Sequence, residues 1–211
     1  MTVERVAVGP LSLPRRTVSL LGVALAVEAV ATAAYLLAVD PQVLAPRYLL
    51  YPFVWVNVAL VAVVRTHPAG GSRRARGAGA AVALCYLAAL SVTAGVVTES
   101  AMAAGARVVW TLPPGWGPTL LVHGAGLRVA LIPYEVAGYA GLGYLIYTTA
   151  VEARSVVGGA VGLVSCVGCT LPVAASLVGA LVGGSVAFGA ASWAYDLSTA
   201  AYVVAVVLLS R

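Results

Sequence analysis

The chain has 211 residues, of which 62% are hydrophobic and 9% are charged, and its mean hydropathy is +1.01. Soluble domains carry about 25% charged residues, so this composition excludes an ordinary soluble domain and indicates an integral membrane protein. The net charge of +5 does not indicate nucleic-acid binding, because the arginines form no dense patch with interleaved aromatic residues.

Six apolar stretches along the chain are each long enough to cross a bilayer, for which about 20 residues are needed. We therefore predict an all-α fold, an integral membrane helical bundle of six transmembrane helices in a single membrane domain, 1–211. The predicted spans are residues 17–39, 47–64, 77–98, 128–150, 156–182 and 191–210. Residues 99–127 are predicted to form an extracytoplasmic loop with an interfacial or re-entrant segment, because Trp110 and Trp116 are typical of interfacial anchors.

The distribution of arginine predicts the orientation of these spans. With the N-terminus in the cytoplasm, nine arginines fall on the cytoplasmic side and three, Arg47, Arg107 and Arg128, fall outside. Cytoplasmic loops carry the excess of basic residues in membrane proteins. The sequence therefore predicts a multi-pass protein of the cell membrane with both termini inside, N-in/C-in, and the lipid bilayer as its first partner.

Two acidic residues fall inside predicted spans, Glu28 in the first and Glu135 in the fourth. A carboxylate in hydrocarbon is costly, so both side chains are expected to face the bundle interior. For Glu28, a neutral hydrogen bond to a neighbouring helix and a functional proton or ligand role are both open. Asn57, in the second span, is predicted to be an interhelical hydrogen-bonder, and glycines in the fourth span are predicted to permit close packing: Gly138, Gly141 and Gly143.

The fifth predicted span contains a Cys-x-x-Cys-x-x-Pro run, formed by Cys166, Cys169 and Pro172. At helical spacing the two thiols lie near one face, and Pro172 breaks the helix because it has no N–H to donate to the carbonyl of Gly168. Cys85 in the third span lies at a similar predicted depth. Thiolates favour Cu(I) and Zn(II), so the three cysteines are a candidate site for metal or redox chemistry.

Three interpretations of the cysteines remain open. They are small buried hydrophobic residues beside a proline kink, ligands of a soft metal such as Cu(I), or a thiol–disulfide relay. Two residues three apart on a helix place their Cβ atoms about 5–6 Å apart, whereas a disulfide needs about 3.8 Å. This geometry ranks metal binding above the relay.

Several stretches resemble an uncharacterised family of multi-pass membrane proteins from halophilic archaea. They are SCVGCTLPVAAS, RYLLYPFVWVNVALVAVV, PPGWGP, LIPYEVAGYAGLGYLIY and YDLSTAAYVVAVVLLSR. The resemblance implies a role in respiratory assembly. GCTLP also resembles, at Cys169 and Pro172, the cysteine–proline motif of the transmembrane thiol transporters of cytochrome c biogenesis. In those transporters a proline precedes the cysteine, whereas Gly168 precedes Cys169 here.

These observations lead to one leading function and two alternatives. The leading function is a membrane accessory or assembly protein with a membrane-embedded CxxC thiol site that handles copper, as Cu(I), for a respiratory complex such as an oxidase. The first alternative is a transmembrane thiol–disulfide redox relay. The second is a structural or permease-like membrane subunit with no thiol chemistry. The sequence assigns no catalytic residue and no enzymatic activity.

Overall fold

A computed structural model of the chain describes residues 5–8, 11–41, 46–67, 71–152 and 184–210. These residues contain five helices: α1 Arg15–Val39, α2 Arg47–Arg65, α3 Arg73–Thr93, α4 Pro133–Glu152 and α5 Gly184–Leu209. Local sequence explains several of their ends. Ser72 caps α3, because its hydroxyl accepts a hydrogen bond from the Ala75 N–H at 3.2 Å. Proline is favoured at the first helical position, where α4 begins with Pro133.

The strands form two antiparallel sheets. The hairpin of β1 Arg5–Val8 and β2 Leu11–Pro14 precedes α1. Between α3 and α4 lie β3 Val97–Glu99, β4 Gly105–Val109, β5 Thr119–Gly124 and β6 Leu127–Leu131, in the order β3-β6-β5-β4. The β5–β6 connection is tight because Ala125 and Gly126 both have positive φ angles, as short hairpin turns require.

The prediction of an all-α bundle of six transmembrane helices is wrong. The described residues contain five helices and a four-stranded sheet, and three of the helices are long and apolar enough to cross a membrane. Those three stretches are Thr17–Val39, Arg47–Arg65 and Arg73–Val92. The N-in/C-in orientation was inferred from six spans and loses its basis with them. The predicted span at 156–182 lies outside the described residues.

The sheet explains part of this error. Residues Thr119–Leu131 are apolar, and apolar composition alone does not distinguish a strand from a helix. The predicted fourth span therefore started at Arg128, which instead belongs to β6, while α4 begins at Pro133. Within residues 99–127, which were predicted as a loop, the structure has strands β4 and β5.

A proline inside α2 fixes the position of the β4–β5 loop. Pro52 has no N–H, so the carbonyl of Tyr48, four residues earlier, has no helical donor. The indole Nε1–H of Trp116 donates to that carbonyl at 2.8 Å. Trp116 is buried, in contrast to the interfacial position expected for it, whereas Trp110 is 53% exposed. The loop therefore docks on α2 at the point where the helical hydrogen bonding is interrupted.

Trp55 on α2 is the centre of the aromatic core. Its ring stacks on Tyr202 of α5 with centroids 4.1 Å apart, and it meets Tyr134 and Tyr139 of α4 edge to face. The Trp55 Nε1–H donates to the Thr199 hydroxyl at 3.1 Å, and the Tyr202 hydroxyl donates to the Trp55 carbonyl at 3.1 Å. These contacts join three helices through one buried side chain.

Glycines on α4 bring its backbone close to the neighbouring helices. A Cβ atom at Gly138 would collide with the Trp55 ring, one at Gly141 would lie 2.7 Å from Ala59 Cβ, and one at Gly143 would lie 2.8 Å from Leu87 Cδ1. Helix α4 therefore packs between α2 and α3. The close packing predicted for these three glycines is confirmed.

A polar cluster joins α2 to α5 at the end of the bundle that carries the sheet. The Asp196 carboxylate accepts a hydrogen bond from the buried Tyr51 hydroxyl and lies 3.5 Å from Arg47 Nη1. Both charged side chains are about two-fifths exposed, so the ion pair itself contributes little, roughly 0–1 kcal/mol. The Tyr51 bond to a charged acceptor is the stronger contact of the two.

The docking of Trp116 leads to a prediction for a double-mutant cycle. Trp116→Phe removes the indole hydrogen bond to the Tyr48 carbonyl, so we expect the free energy of unfolding in detergent to fall by about 1–3 kcal/mol. In a Pro52→Ala background, the backbone N–H that the alanine introduces can donate to the same carbonyl, and Trp116→Phe should cost less. An equal cost in both backgrounds, measured by thermal or chemical unfolding, would contradict this account.

The close approach of α4 to Trp55 leads to a second stability prediction. Gly138→Ala places a methyl group against a ring fixed by stacking and by the hydrogen bond of its Nε1–H to Thr199, so we expect a loss of about 1–3 kcal/mol. Gly22→Ala is the matched control, because a Cβ at Gly22 on α1 meets nothing within 4 Å. We expect Gly22→Ala to leave the melting temperature unchanged or raise it. Equal melting temperatures for the two variants would refute the packing argument.

Candidate functional site

A groove of about 350 Å³ lies between α1, α2, the β4–β5 loop and the start of α4. Small-molecule sites in proteins have volumes of roughly 300–1,000 Å³, so this groove has room for a compact ligand. Apolar and aromatic side chains form most of its wall, among them Phe53, Val56 and Tyr134, together with prolines from α2, the loop and α4. Glu28 is the one acidic residue in the described wall.

Glu28 lies near the middle of α1, about 20 Å along the helix axis from Arg15 at 1.5 Å of rise per residue. Its Oε2 atom accepts a hydrogen bond of 2.6 Å from Nδ2 of Asn57, on α2. The same amide nitrogen donates to the Phe53 carbonyl at 2.9 Å, so Asn57 is fixed within its own helix. The interhelical hydrogen bond predicted for Asn57 is therefore confirmed.

The Glu28–Asn57 pair is not fully satisfied within the described part of the chain. Glu28 Oε1 and Asn57 Oδ1 are buried, and neither has a hydrogen-bond partner there. Both atoms are acceptors when the carboxyl is ionised. A buried acceptor without a donor costs about 1–3 kcal/mol. Glu28, which lines the groove, therefore favours a group that brings a hydrogen-bond donor.

The far end of the groove is closed by a contact between α1 and the loop. The Tyr35 hydroxyl donates to the Trp110 carbonyl, and a Cβ atom at Gly117 would collide with that hydroxyl. Glycine at this position therefore lets the loop backbone lie directly against Tyr35. Tyr134, which is buried, supports the loop from α4 by packing its ring 4.9 Å from that of Trp116.

The other predicted site residues that the structure describes, Glu135 and Cys85, do not line this groove. Glu135 is half-buried at the start of α4, and its Oε1 accepts a hydrogen bond from the Tyr134 hydroxyl at 3.2 Å. Cys85 is exposed on α3, a helix that packs against α4. Glu28 lies on α1, which packs against α2. Helices α2 and α4 therefore lie between Cys85 and Glu28.

The central thiol prediction concerns residues beyond those described. Cys166, Cys169 and the helix break at Pro172 all fall in the stretch between α4 and α5 that the structure does not describe. Within the described ranges, no three His, Cys, Asp or Glu side chains lie close enough to hold a metal ion.

Sequence reasoning identified Glu28 and Asn57 but not the groove. The part of the groove wall that was not predicted is the loop from Pro113 to Pro118, which was expected at the membrane surface. One sequence signal was available: Pro52 leaves a carbonyl of α2 without a donor, and a buried tryptophan N–H elsewhere in the chain is a suitable partner. Which of the four tryptophans would supply it cannot be read from spacing.

The comparisons with known proteins give one match. No curated protein and no solved structure shows significant similarity to the chain. A sequence profile matches over residues 1–211, the whole length given, and its description is that of a family of unknown function. The chain therefore belongs to the family of unknown function DUF7546.

Proposed function

We propose that this chain is a multi-pass membrane protein with an accessory role, and that α1, α2 and α3 each cross the bilayer. The observation that carries the proposal is the presence of three helices that are long and apolar enough to cross a membrane. Long apolar side chains on α1 such as Val30 and Leu37, which are 70% and 90% exposed, are suited to contact with lipid.

Contacts at the two ends of the helices support this proposal. Tyr35 near the end of α1 bonds to Trp110, and Tyr48 near the start of α2 bonds to Trp116, so both helix ends lie beside the β4–β5 loop. The far end of α2 meets α4 through the Tyr144 hydroxyl, which donates to the Thr66 carbonyl at 2.9 Å. Strand β3 follows α3 directly and joins the sheet. Successive helices therefore alternate in direction, as consecutive membrane spans must.

Cysteine labelling tests the crossing of α2 and α3. In a full-length chain without native cysteines, Pro46→Cys, His67→Cys and Met102→Cys each place one thiol at an exposed site between helices. A membrane-impermeant maleimide added to intact cells reaches thiols on the outer side of the membrane only. We expect Pro46→Cys and Met102→Cys to give the same result, either both labelled or both unlabelled, and His67→Cys to give the other result. Cells made permeable are the control, in which all three should react.

Two labelling patterns would overturn the proposal. Equal labelling of Pro46→Cys and His67→Cys in intact cells would show that α2 does not cross the membrane. Equal labelling of His67→Cys and Met102→Cys would show the same for α3.

We also propose a thiol function for the pair Cys166 and Cys169, carried by their spacing in the sequence and by the proline that follows at 172. A thiolate pair in apolar surroundings is suited to Cu(I), and the accessory role is then copper handling for a respiratory complex. A thiol–disulfide relay is the competing chemistry for the same pair.

Copper loading distinguishes these chemistries. We expect the wild-type protein, loaded with Cu(I) without oxygen and then dialysed against a Cu(I) chelator, to retain copper, and Cys166→Ser or Cys169→Ser to lose it. Cys85→Ser is the matched control because it removes one exposed thiol and leaves the pair intact. Copper lost there as well identifies Cys85 as a third ligand. Wild-type protein that retains no copper contradicts the metal function, and a mixed disulfide trapped by either single serine variant establishes the relay.

A further inference from the structure

We propose that the groove beside Glu28 binds an uncharged, lipid-soluble aromatic alcohol, such as a phenol or hydroquinone ring, whose hydroxyl donates to the Glu28 carboxyl. The inference rests on the proposed function in one respect, which is that α1 and α2 lie in the bilayer. It names a ligand class that the accessory role leaves open.

Glu28, the acidic residue of the groove wall, sets the chemistry of the ligand head. Its Oε1 atom has no hydrogen-bond donor among the described residues, whereas its Oε2 atom is already paired with the Asn57 amide. A ligand with a hydrogen-bond donor satisfies the Oε1 atom, and a ligand with only acceptors does not. Glu28 Oε1 is buried in the ligand-free protein, and the broad terminal torsion of glutamate allows the carboxyl to turn toward the groove when the ligand hydroxyl binds.

The depth of Glu28 favours a neutral donor over a cation. Glu28 lies near the middle of α1, and moving a charged amine to the centre of a bilayer is costly. A hydroxyl group has a smaller desolvation cost and still donates. A hydroxyl can also accept, so it matches the carboxyl whether that group is ionised or protonated.

The walls and the volume set the rest of the ligand. An apolar cavity of about 150 Å³ holds one benzene ring, so 350 Å³ accommodates one or two fused rings. The space is lined by two aromatic rings and by several proline rings: Phe53, Tyr134, Pro52, Pro114 and Pro118. Aromatic faces pack favourably against rings, and a flexible chain loses more conformational entropy on binding than a rigid ring does.

Equilibrium dialysis of the protein in lipid nanodiscs against 2-naphthol tests the inference, with empty nanodiscs measuring the partition into lipid. We expect saturable binding of one 2-naphthol per chain above that background. The paired probe is 2-methoxynaphthalene, which has the same rings and no donor. It should bind at least about tenfold more weakly, since the hydrogen bond to the carboxyl is lost.

Variants assign the binding to Glu28 and to the groove. Glu28→Leu should remove the preference for the hydroxyl probe, whereas Glu28→Gln keeps an acceptor oxygen and should bind within about threefold of wild type. Ala31→Trp fills the groove and should reduce 2-naphthol binding about tenfold. Val30→Trp, one residue away, exposed and outside the groove wall, should bind as wild type. If Ala31→Trp does not fold, Val56→Trp fills the same space from α2.

Three results would overturn the inference. They are equal binding of the two probes by wild type, a preference that survives in Glu28→Leu, and equal binding by Val30→Trp and Ala31→Trp. Failure of the proposed membrane crossing is detected separately, because cysteine labelling uses the protein without any probe.

Discussion

One carbonyl that loses its helical donor organises the end of this protein that carries the sheet. A buried polar group left without a hydrogen bond costs about 1–3 kcal/mol. Pro52 removes the helical donor of the Tyr48 carbonyl, and the Trp116 indole donates to that carbonyl from a loop 68 residues away in sequence. Gly115 lies so close to Pro52 that a side chain there would collide with the proline ring. The backbone defect is therefore the docking site for the loop, and the docked loop supplies one wall of the groove.

The other helix contacts depend mainly on close packing of complementary surfaces. For helices in the proposed membrane location, association gains little from the hydrophobic effect, so close packing and interhelical hydrogen bonds carry the stability. Gly138 admits the Trp55 ring against α4, and that ring then meets Tyr202 of α5. Small residues on one helix thus face large aromatic rings on the next, beside the buried Leu142 and Leu145 of α4. The aromatic core around Trp55 also includes Tyr134, which contacts Trp116 and lines the groove.

The sequence predicted the polar contacts of the helices better than the architecture. Glu28 and Asn57 could be identified because polar side chains are rare in apolar helices and need partners, and the structure pairs them. The sheet was missed because its strands were divided between the predicted third span, the predicted loop 99–127 and the start of the predicted fourth span. Their strand character depends on pairing between segments that lie apart in the chain. The groove was missed because its walls come from four separate parts of the chain.

The position of α1 has a further consequence. Among its described side chains Thr17 is buried and the others are half-buried or exposed, so few tight van der Waals contacts hold this helix. Its polar ties to the rest of the described chain include the Glu28–Asn57 bond and the Tyr35–Trp110 bond, one at the middle of the groove and one at its end. These two hydrogen bonds, which shape the cavity, therefore also attach α1 to the rest of the described chain. Selection cannot alter the polarity of the cavity at residue 28 without also changing how firmly α1 is attached.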